Sequence, residues 1–350
     1  MDHPPIFACP VTREPLNALT EAEVAGLKAE IAEGARLHAD GSPLKGGLDG
    51  ALGTPDRSYI YRVDGGIYAL LPSLAVVTPE KATLGELESD KRIVQSFYDE
   101  FGWVTNADGA YKDTEVFTVE DQVAKRYAYR CDDRIAAQLG RGDYLLDAAS
   151  GAIPGDSYMR FSNNYARRVC VDFSIRALRE AQLKLGDRGV YVLGDVTCLP
   201  LAEGVIDDAI SLHTIYHVPR DLQSTAIDEL VRVLKPKGKL VVVYTWGASP
   251  IMRIIHRLTG RHEERREPEK PDLYYSPQGK DWFRTLAAKY PAKLKVWSAT
   301  DLKFNAAFMR DNAAGRLMAS LVVLAEQLFD PFLARYGQYP LFVFSKASQG

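Results

Sequence analysis

The sequence is poor in the residues that build disulfide frameworks and zinc centres. Its 350 residues include four cysteines, and no two of them form a Cys-x-x-Cys pair; they are Cys9, Cys131, Cys170 and Cys198. Disulfide frameworks are typical of short, cysteine-rich secreted chains, and structural zinc sites take four ligands. No cluster of His, Asp and Glu marks a catalytic metal either. The cysteines are therefore predicted to be thiols in a reducing cytoplasm, and no metal is expected.

Long apolar runs and an excess of positive charge are also missing. No stretch approaches the ~18 apolar residues of a membrane span, and the Met-Asp-His-Pro-Pro start has no basic or apolar region typical of a signal peptide. The net charge is -3, which argues against nucleic-acid binding through a basic surface. The composition thus predicts a cytoplasmic globular protein without nucleic-acid or membrane partners.

The most informative stretch runs from Asp143 to Asp172. Tyr144-Leu145-Leu146 is a short apolar run, typical of a strand buried in a parallel sheet, and Asp147 closes it. The turn that follows consists of small residues only, namely Ala148, Ala149, Ser150 and Gly151. A ligand can approach the backbone closely at such a turn.

Two further acids follow apolar runs in the same way. Asp172 ends Arg168-Val169-Cys170-Val171, and Asp195 follows Tyr191-Val192-Leu193-Gly194. Ligands of open α/β sheets bind at the carboxyl ends of strands, and an acid there commonly holds ribose hydroxyls, although a lone acid can equally be a helix cap. A nicotinamide dinucleotide needs Gly-x-Gly-x-x-Gly, which this turn lacks. A ribose-containing cofactor without phosphate, such as S-adenosylmethionine, fits better.

Five segments, in this order, resemble the class I S-adenosylmethionine-dependent methyltransferases of the type 11-like group: LLDAASG, VCVDFS, VLGDVTCLP, DDAISLHTIYHV and ELVRVLKPKGKLVVVY. The resemblance covers about Val123 to Trp246. It implies a doubly wound α/β fold, a seven-stranded, mostly parallel Rossmann-like sheet with an antiparallel last strand. The usual acid-x-Gly-x-Gly-x-Gly is altered here to Asp147-Ala-Ala-Ser-Gly151. The implied contacts to S-adenosyl-L-methionine are Asp147, Ala148, Ala149, Ser150, Gly151, Asp172, Phe173, Ser174, Asp195, Val196 and His213.

Residues 1–77 resemble a degenerate zinc-ribbon-like module of the Trm112-like kind. The matching segments are IFACPVTREPL and YIYRVDGGIYALLP. Only Cys9 remains of the Cys-Pro-x-Cys knuckle, and Thr12 occupies the second position. Because one cysteine cannot supply a zinc site, a small β-rich module without metal is predicted.

The other two regions are predicted to build the acceptor side of the site. Residues 78–122 are predicted to be a helical, aromatic linker that acts as a lid over the cofactor, as in many small-molecule methyltransferases. Residues 123–350 form the methyltransferase domain, with an acceptor-site insertion at about 247–335. The candidate general bases are His217 and Tyr216, which follow the fourth strand, and Tyr98 in the lid.

The predicted function is methyl transfer to a small-molecule acceptor by direct displacement, with O-methylation favoured over N- or C-methylation. The sulfonium methyl is already activated, so the protein mainly aligns donor and acceptor, an effect of roughly 7–11 kcal/mol. A base helps where the acceptor is a hydroxyl. A homodimer is compatible with this interpretation. Two alternatives stay open, a non-catalytic cofactor-binding partner subunit and, disfavoured by the missing glycines, a nicotinamide oxidoreductase.

Overall fold

The computed structural model describes residues 5–44, 47–82, 121–247, 249–260 and 274–347. Their strands form one mixed sheet flanked by helices. The strands are β1 (Asn17–Ala18), β2 (Leu37–His38), β3 (Gly50–Gly53), β4 (Ile60–Asp64), β5 (Ile67–Ala69), β6 (Val76–Val77), β7 (Gly142–Ala148), β8 (Tyr165–Asp172), β9 (Gly189–Leu193), β10 (Asp208–Leu212), β11 (Lys239–Val243), β12 (Ala292–Ser298) and β13 (Tyr339–Ser345). The helices are α1 (Glu21–Ala32), α2 (Gln122–Ala136), α3 (Asp156–Met159), α4 (Ile175–Leu185), α5 (Gln223–Arg232), α6 (Pro250–Leu258), α7 (Lys280–Lys289), α8 (Leu302–Phe308), α9 (Ala313–Leu328) and α10 (Asp330–Tyr336).

The strands after residue 121 follow the order β9-β8-β7-β10-β11-β13-β12. The first five pair in parallel, and β13 pairs antiparallel with both β11 and β12. The chain winds outward from β7 to β9 and then returns to β10 on the other side. The reversal between β7 and β10 is a topological switch point, where ligands of open α/β sheets bind. The predicted α/β Rossmann-like architecture is confirmed, and β13 is the predicted antiparallel last strand.

The helices that cover this part of the sheet form where the sequence repeats apolar residues every three or four positions. In α2 the residues Val123, Tyr127, Cys131 and Ile135 are buried, as their spacing predicts. Ser174 caps α4, because its side chain accepts a hydrogen bond from Ala177 N–H, and the helix ends at Gly186. Between β7 and β8 the described chain has only the single turn of α3 and a short 3-10 helix, Arg160–Ser162, so the cofactor edge has no long helix after β7.

Among the described residues the sheet has thirteen strands, seven of which, β7 to β13, lie after residue 121, whereas a separate sheet of seven strands was predicted for the methyltransferase domain. The reason is that β5 pairs in parallel with β9, so that the N-terminal strands extend the same sheet. Thr20 and Glu23 form a capping box at the start of α1. A second contact joins the two parts, because Ala8 N–H donates to Pro200 O over 3.2 Å. The N-terminal region therefore packs against the loop that follows β9.

The helices α6, α8 and α9 share an apolar cluster with α2. A buried polar network stabilises the same region. The carboxylate of Glu326 in α9 accepts hydrogen bonds from Tyr127 Oη at 2.6 Å and from Arg134 Nη2 at 2.7 Å, and it also accepts from Ala299 N–H. These contacts fix which side of α9 faces the protein.

Candidate cofactor and acceptor site

Residues from four strands meet at the carboxyl edge of the parallel sheet. Asp172 is the last residue of β8, Asp195 stands two residues beyond β9, and His213 directly follows β10. The turn after β7 lies between them, at the switch point. The structure thus brings the predicted strand-end residues to one edge, as parallel pairing requires.

Asp172 connects the turn after β7 with the start of α4. Its Oδ2 accepts a hydrogen bond from Gly151 N–H at 2.8 Å, and its Oδ1 accepts one from Ser174 N–H at 2.8 Å. Its exposed fraction is 8%. Each carboxylate oxygen can accept more than one hydrogen bond, and these two bonds hold the group in one orientation. Such a fixed pair of oxygens suits two neighbouring hydroxyls.

The turn after β7 has an unusual backbone. Ala149, Gly151 and Ile153 have φ of 56°, 55° and 52°, in the left-handed region that favours glycine. Counted from Asp147, they stand at the three glycine positions of acid-x-Gly-x-Gly-x-Gly. The chain therefore keeps the conformation of a glycine-rich turn with an alanine and a β-branched residue in it. Ile153 escaped the sequence analysis, although its place in this spacing is the signal for it.

Replacing Ala149 with glycine is expected to raise the free energy of unfolding by about 0.5–1 kcal/mol. Left-handed backbone costs a non-glycine residue roughly 1–2 kcal/mol, and the added flexibility of the unfolded chain cancels part of the gain. Urea unfolding measures the change. The matched control is Ala148→Gly, one residue earlier in β7 and fully buried, which should lower stability. If both variants lost the same amount of stability, the left-handed backbone of Ala149 would not be strained.

Asp147 does not lie open at the edge. It is buried, and its Oδ2 accepts hydrogen bonds from Nε of Arg168 at 3.0 Å and from Nη2 of the same guanidinium. Arg168 is 1% exposed and also donates to Tyr158 O at 2.6 Å. Asp147 therefore stabilises the base of the turn through a buried ion pair. The sequence alone did not indicate the role of Arg168; its signal was the charged pair Arg167-Arg168 directly before the apolar run Val169-Cys170-Val171.

The remaining cofactor candidates lie around these groups. The side chain of Asp195 accepts hydrogen bonds from the backbone N–H and the hydroxyl of Thr197, both at 2.7 Å, and so orders its own loop. Val196 is buried in the main core. Phe173 packs beside Ile153 and Leu193. Ala148 is buried within β7, and Ser150 N–H in the turn donates to Val171 O at 3.3 Å.

His213 continues from β10 with a φ of 60°. Its N–H donates to Val243 O at 3.1 Å, and its ring lies edge-on to Trp297 and Tyr339, with centroid distances of 4.6 and 5.2 Å. Burial lowers the pKa of His213 to about 4. The ring is therefore neutral at pH 7 and forms part of an aromatic wall.

Tyr216 and His217 lie together just beyond, with their ring centroids 4.6 Å apart. Nδ1 of His217 lies 2.7 Å from Tyr274 O. A carbonyl only accepts, so Nδ1 carries the proton and Nε2 of the neutral ring is a base. Burial lowers the pKa of His217 to about 4. Tyr275 lies 5.5 Å from Tyr216 and completes an aromatic group that the sequence analysis did not include.

Some predicted features lie outside the described residues. Tyr98 and most of the predicted lid fall within 83–120, and the charged part of the insertion falls within 261–273. Among the residues that the structure describes, no three or more His, Cys, Asp or Glu side chains stand close enough to hold a metal ion. Cys9 is buried, and its Sγ lies 3.3 Å from Tyr61 Oη. That thiol thus belongs to the packing of the N-terminal region.

Comparisons with known proteins agree with this geometry. Residues 146–242 match the family model described as a methyltransferase domain. A ubiquinone/menaquinone biosynthesis C-methyltransferase of Syntrophotalea carbinolica is 36% identical over 124 residues, which are 34% of this chain and 51% of that protein. A demethylmenaquinone methyltransferase of Chlamydia muridarum is 36% identical over 111 residues, 30% of this chain and 45% of that protein. The chain thus spans about half the length of these curated relatives.

One of the solved structures with a similar fold is that of another methyltransferase. The magnesium protoporphyrin IX methyltransferase of Synechocystis, solved with bound S-adenosylhomocysteine, is 13% identical; it covers 74% of this chain and 100% of its own, with a TM-score of 0.44. The family match lies on β7 to β11, the strands that bring the three acids together. Residues 146–242 therefore match a methyltransferase domain, and the comparisons support the predicted enzyme class, a methyltransferase that uses S-adenosyl-L-methionine.

Proposed function

We propose that this chain transfers a methyl group from S-adenosylmethionine to a small apolar acceptor with an electron-rich ring. The observation that carries the proposal is the meeting of Asp172, Asp195 and the aromatic group at one edge of the sheet. In this proposal Asp172 holds the ribose hydroxyls and Asp195 binds the adenine amino group. The turn Ala148 to Gly151 lies along the cofactor, and Phe173, Ser174, Val196 and His213 surround it.

The proposed acceptor atom is a ring carbon. The rings of Tyr216, His217 and Tyr275 suit a flat aromatic acceptor, and two of the relatives are named for ubiquinone and menaquinone compounds. This departs from the oxygen acceptor that the sequence favoured. O-methylation is kept as a second candidate because Nε2 of His217 is an unprotonated base beside the aromatic group.

C-methylation and O-methylation would both use His217 as the base and S-adenosylmethionine as the methyl donor. A phenolic hydroxyl gives its proton to Nε2 of His217, and the ring becomes electron-rich. The ring carbon, or the phenolate oxygen itself, then forms a bond to the methyl carbon as the bond from that carbon to the sulfonium sulfur breaks. The sulfur keeps the electron pair and leaves as a neutral thioether. On the carbon path, the methylated ring carbon then loses its proton to water, and the ring oxygen takes back the proton held by Nε2 of His217, which restores the aromatic ring. Orientation of the two reactants supplies most of the rate.

The regions outside the catalytic strands have proposed roles too. We retain residues 1–77 as a Trm112-like module without metal, 78–122 as the lid with Tyr98 as an acceptor-site residue, and about 247–335 as the acceptor-site insertion. The described part of the insertion fits this role, because Tyr274 and Tyr275 contact His217.

The test begins with calorimetric titration of the protein with S-adenosylmethionine and with NADH. Micromolar binding of the first alone is expected. Transfer of a labelled methyl group is then measured with a short-chain demethylmenaquinol and with a catechol, which separate carbon from oxygen acceptors. Binding without transfer to any acceptor would favour the non-catalytic subunit, and binding of NADH alone would favour the oxidoreductase.

The role of His217 has its own test. His217→Asn keeps a donor toward Tyr274 O but lacks the Nε2 base, so kcat is expected to fall roughly 10²–10⁴-fold at unchanged cofactor affinity. Tyr216→Phe, which keeps the ring beside His217, is the matched control and should retain most activity. Because burial lowers the pKa of His217 to about 4, activity of the native protein should not fall between pH 7 and pH 5. A fall with a midpoint near pH 6.5 would contradict the lowered pKa of His217.

A further inference from the structure

The outer side of α9 is apolar. Leu317 is 62% exposed and Leu328 is 65% exposed, and the residues between and beyond them show the same pattern. We call this surface the α9 face; it consists of Leu317, Leu321, Leu324, Leu328, Phe329 and Phe332. Soluble proteins expose single apolar residues commonly, but a contiguous apolar surface marks an interaction site. The α9 face is therefore expected to bind a partner molecule or a membrane surface.

The orientation of α9 is fixed. Its inner side packs through Met318, Val322 and Val323 against the cluster that α2 and α6 share. Glu326 lies inside the protein and accepts hydrogen bonds from three groups. If α9 rotated to bury its leucines, Glu326 would lose these hydrogen bonds. The apolar side thus stays outward.

The exposed charged side chains on α9 and on the helices that pack with it, α6 and α8, are mostly basic. In 249–260 and 302–328 the exposed charged side chains are five basic residues and one acid: Arg253, Arg257, Lys303, Arg310, Arg316 and Asp311. The carboxylate of Asp311 accepts hydrogen bonds from the backbone N–H of Gln122 and Val123. Two further apolar side chains of α6, Ile254 and Leu258, are exposed among these arginines. An apolar surface with basic residues around it is typical of segments that lie in the interface of anionic membranes.

The α9 face adjoins the acceptor side of the site. It continues into α10, which leads into β13 at Tyr339, the residue that packs edge-on to His213. α10 is also joined to the edge of the sheet, because Trp246 Nε1 donates to Ala334 O and Ser249 Oγ donates to Tyr336 O. The α9 face is therefore linked through α10 and β13 to the aromatic wall around His213.

We propose that the α9 face, with Ile254, Leu258 and the surrounding basic residues, docks on the surface of an anionic lipid bilayer. Within the described residues no single helix is long and apolar enough to cross a membrane, and α9 and α10 pass that test only together, as a pair bent by 104°. A second copy fits less well, because a two-fold pair would bring the same cations together. Delivery of a lipophilic acceptor along this surface rests on the proposed function; the docking itself does not.

The experiment is co-sedimentation of the full chain with vesicles of phosphatidylcholine alone and of phosphatidylcholine with phosphatidylglycerol. Binding is expected on the anionic vesicles and should weaken as salt is added. The double variant Leu321→Glu/Leu324→Glu should lower the partition coefficient at least about tenfold. Arg253→Glu/Arg257→Glu should remove most of the preference for phosphatidylglycerol. The matched control is Leu183→Glu, an 81% exposed leucine on α4, which should bind as the native protein does.

Three results would overturn the docking proposal. They are no binding of the native protein to anionic vesicles, an equal loss in Leu183→Glu, and a native dimer that Leu321→Glu/Leu324→Glu dissociates while vesicles bind neither form. Sedimentation velocity detects the dimer, and circular dichroism confirms that each variant is folded. Calorimetry with S-adenosylmethionine keeps the two proposals apart. Vesicle binding without cofactor binding would refute the proposed function alone, and the reverse would refute the docking alone.

Discussion

Asp172→Ala is expected to weaken S-adenosylmethionine binding about 100-fold, because a hydrogen bond to a charged group contributes roughly 1.5–3 kcal/mol and every 1.4 kcal/mol is about tenfold in affinity. The carboxylate is held in place by Gly151 N–H and Ser174 N–H, so little reorganisation is needed when two hydroxyls bind. Calorimetric titration measures the dissociation constant. Asp187→Ala, which removes an exposed acid beyond α4, is the control and should bind as the native protein does.

A second variant separates binding from folding at this position. Alanine also leaves the N–H groups of Gly151 and Ser174 without their acceptor, and this alone could loosen the turn. Asp172→Asn keeps one acceptor oxygen and the shape of the side chain, and an intermediate loss of affinity is expected with near-native urea unfolding. Native affinity in both variants would show that the ribose is not held by Asp172.

Asp147→Ala is expected to lower the free energy of unfolding by about 3–5 kcal/mol, the usual cost of leaving one member of a buried ion pair without its partner. Arg168 is almost fully buried and shares its guanidinium between Asp147 and Tyr158 O. Urea unfolding at neutral pH measures the loss. It is the largest stability change expected from any single substitution considered for this chain.

The control for Asp147 is another acid in an ion pair. Asp281 pairs with Arg284 on the exposed side of α7, and Asp281→Ala should change stability by no more than about 0.5 kcal/mol, since surface pairs contribute little. The double variant Asp147→Ala/Arg168→Met removes both buried charges and should recover a large part of the loss. If the double variant is as unstable as the sum of both single changes, the two residues do not act as a pair.

The sequence could predict the order of the strands because each strand is a short apolar run followed by an acid or a polar turn. This pattern located β7 to β10 and brought Asp172, Asp195 and His213 to one edge. It could not predict that β5 would pair with β9, because strand pairing across more than a hundred residues leaves no local signal. Nor could it predict the ion pair of Asp147, since an arginine at the start of an apolar run does not indicate its partner. Tyr274 and Tyr275 were not predicted either, because the sequence around a tyrosine does not indicate which residue it contacts.

The pairing of β5 with β9 has a consequence for solubility. A strand at the border of a sheet offers unpaired N–H and C=O groups to other chains, and β9, Gly-Val-Tyr-Val-Leu, has no charged side chain to discourage such pairing. At the opposite border, β12 carries Lys293 and Lys295, which discourage it directly. The N-terminal region therefore keeps β9 from pairing with other chains, as Lys293 and Lys295 do for β12. A shortened chain that begins after residue 77 would present β9 to its neighbours, and aggregation is the result to expect.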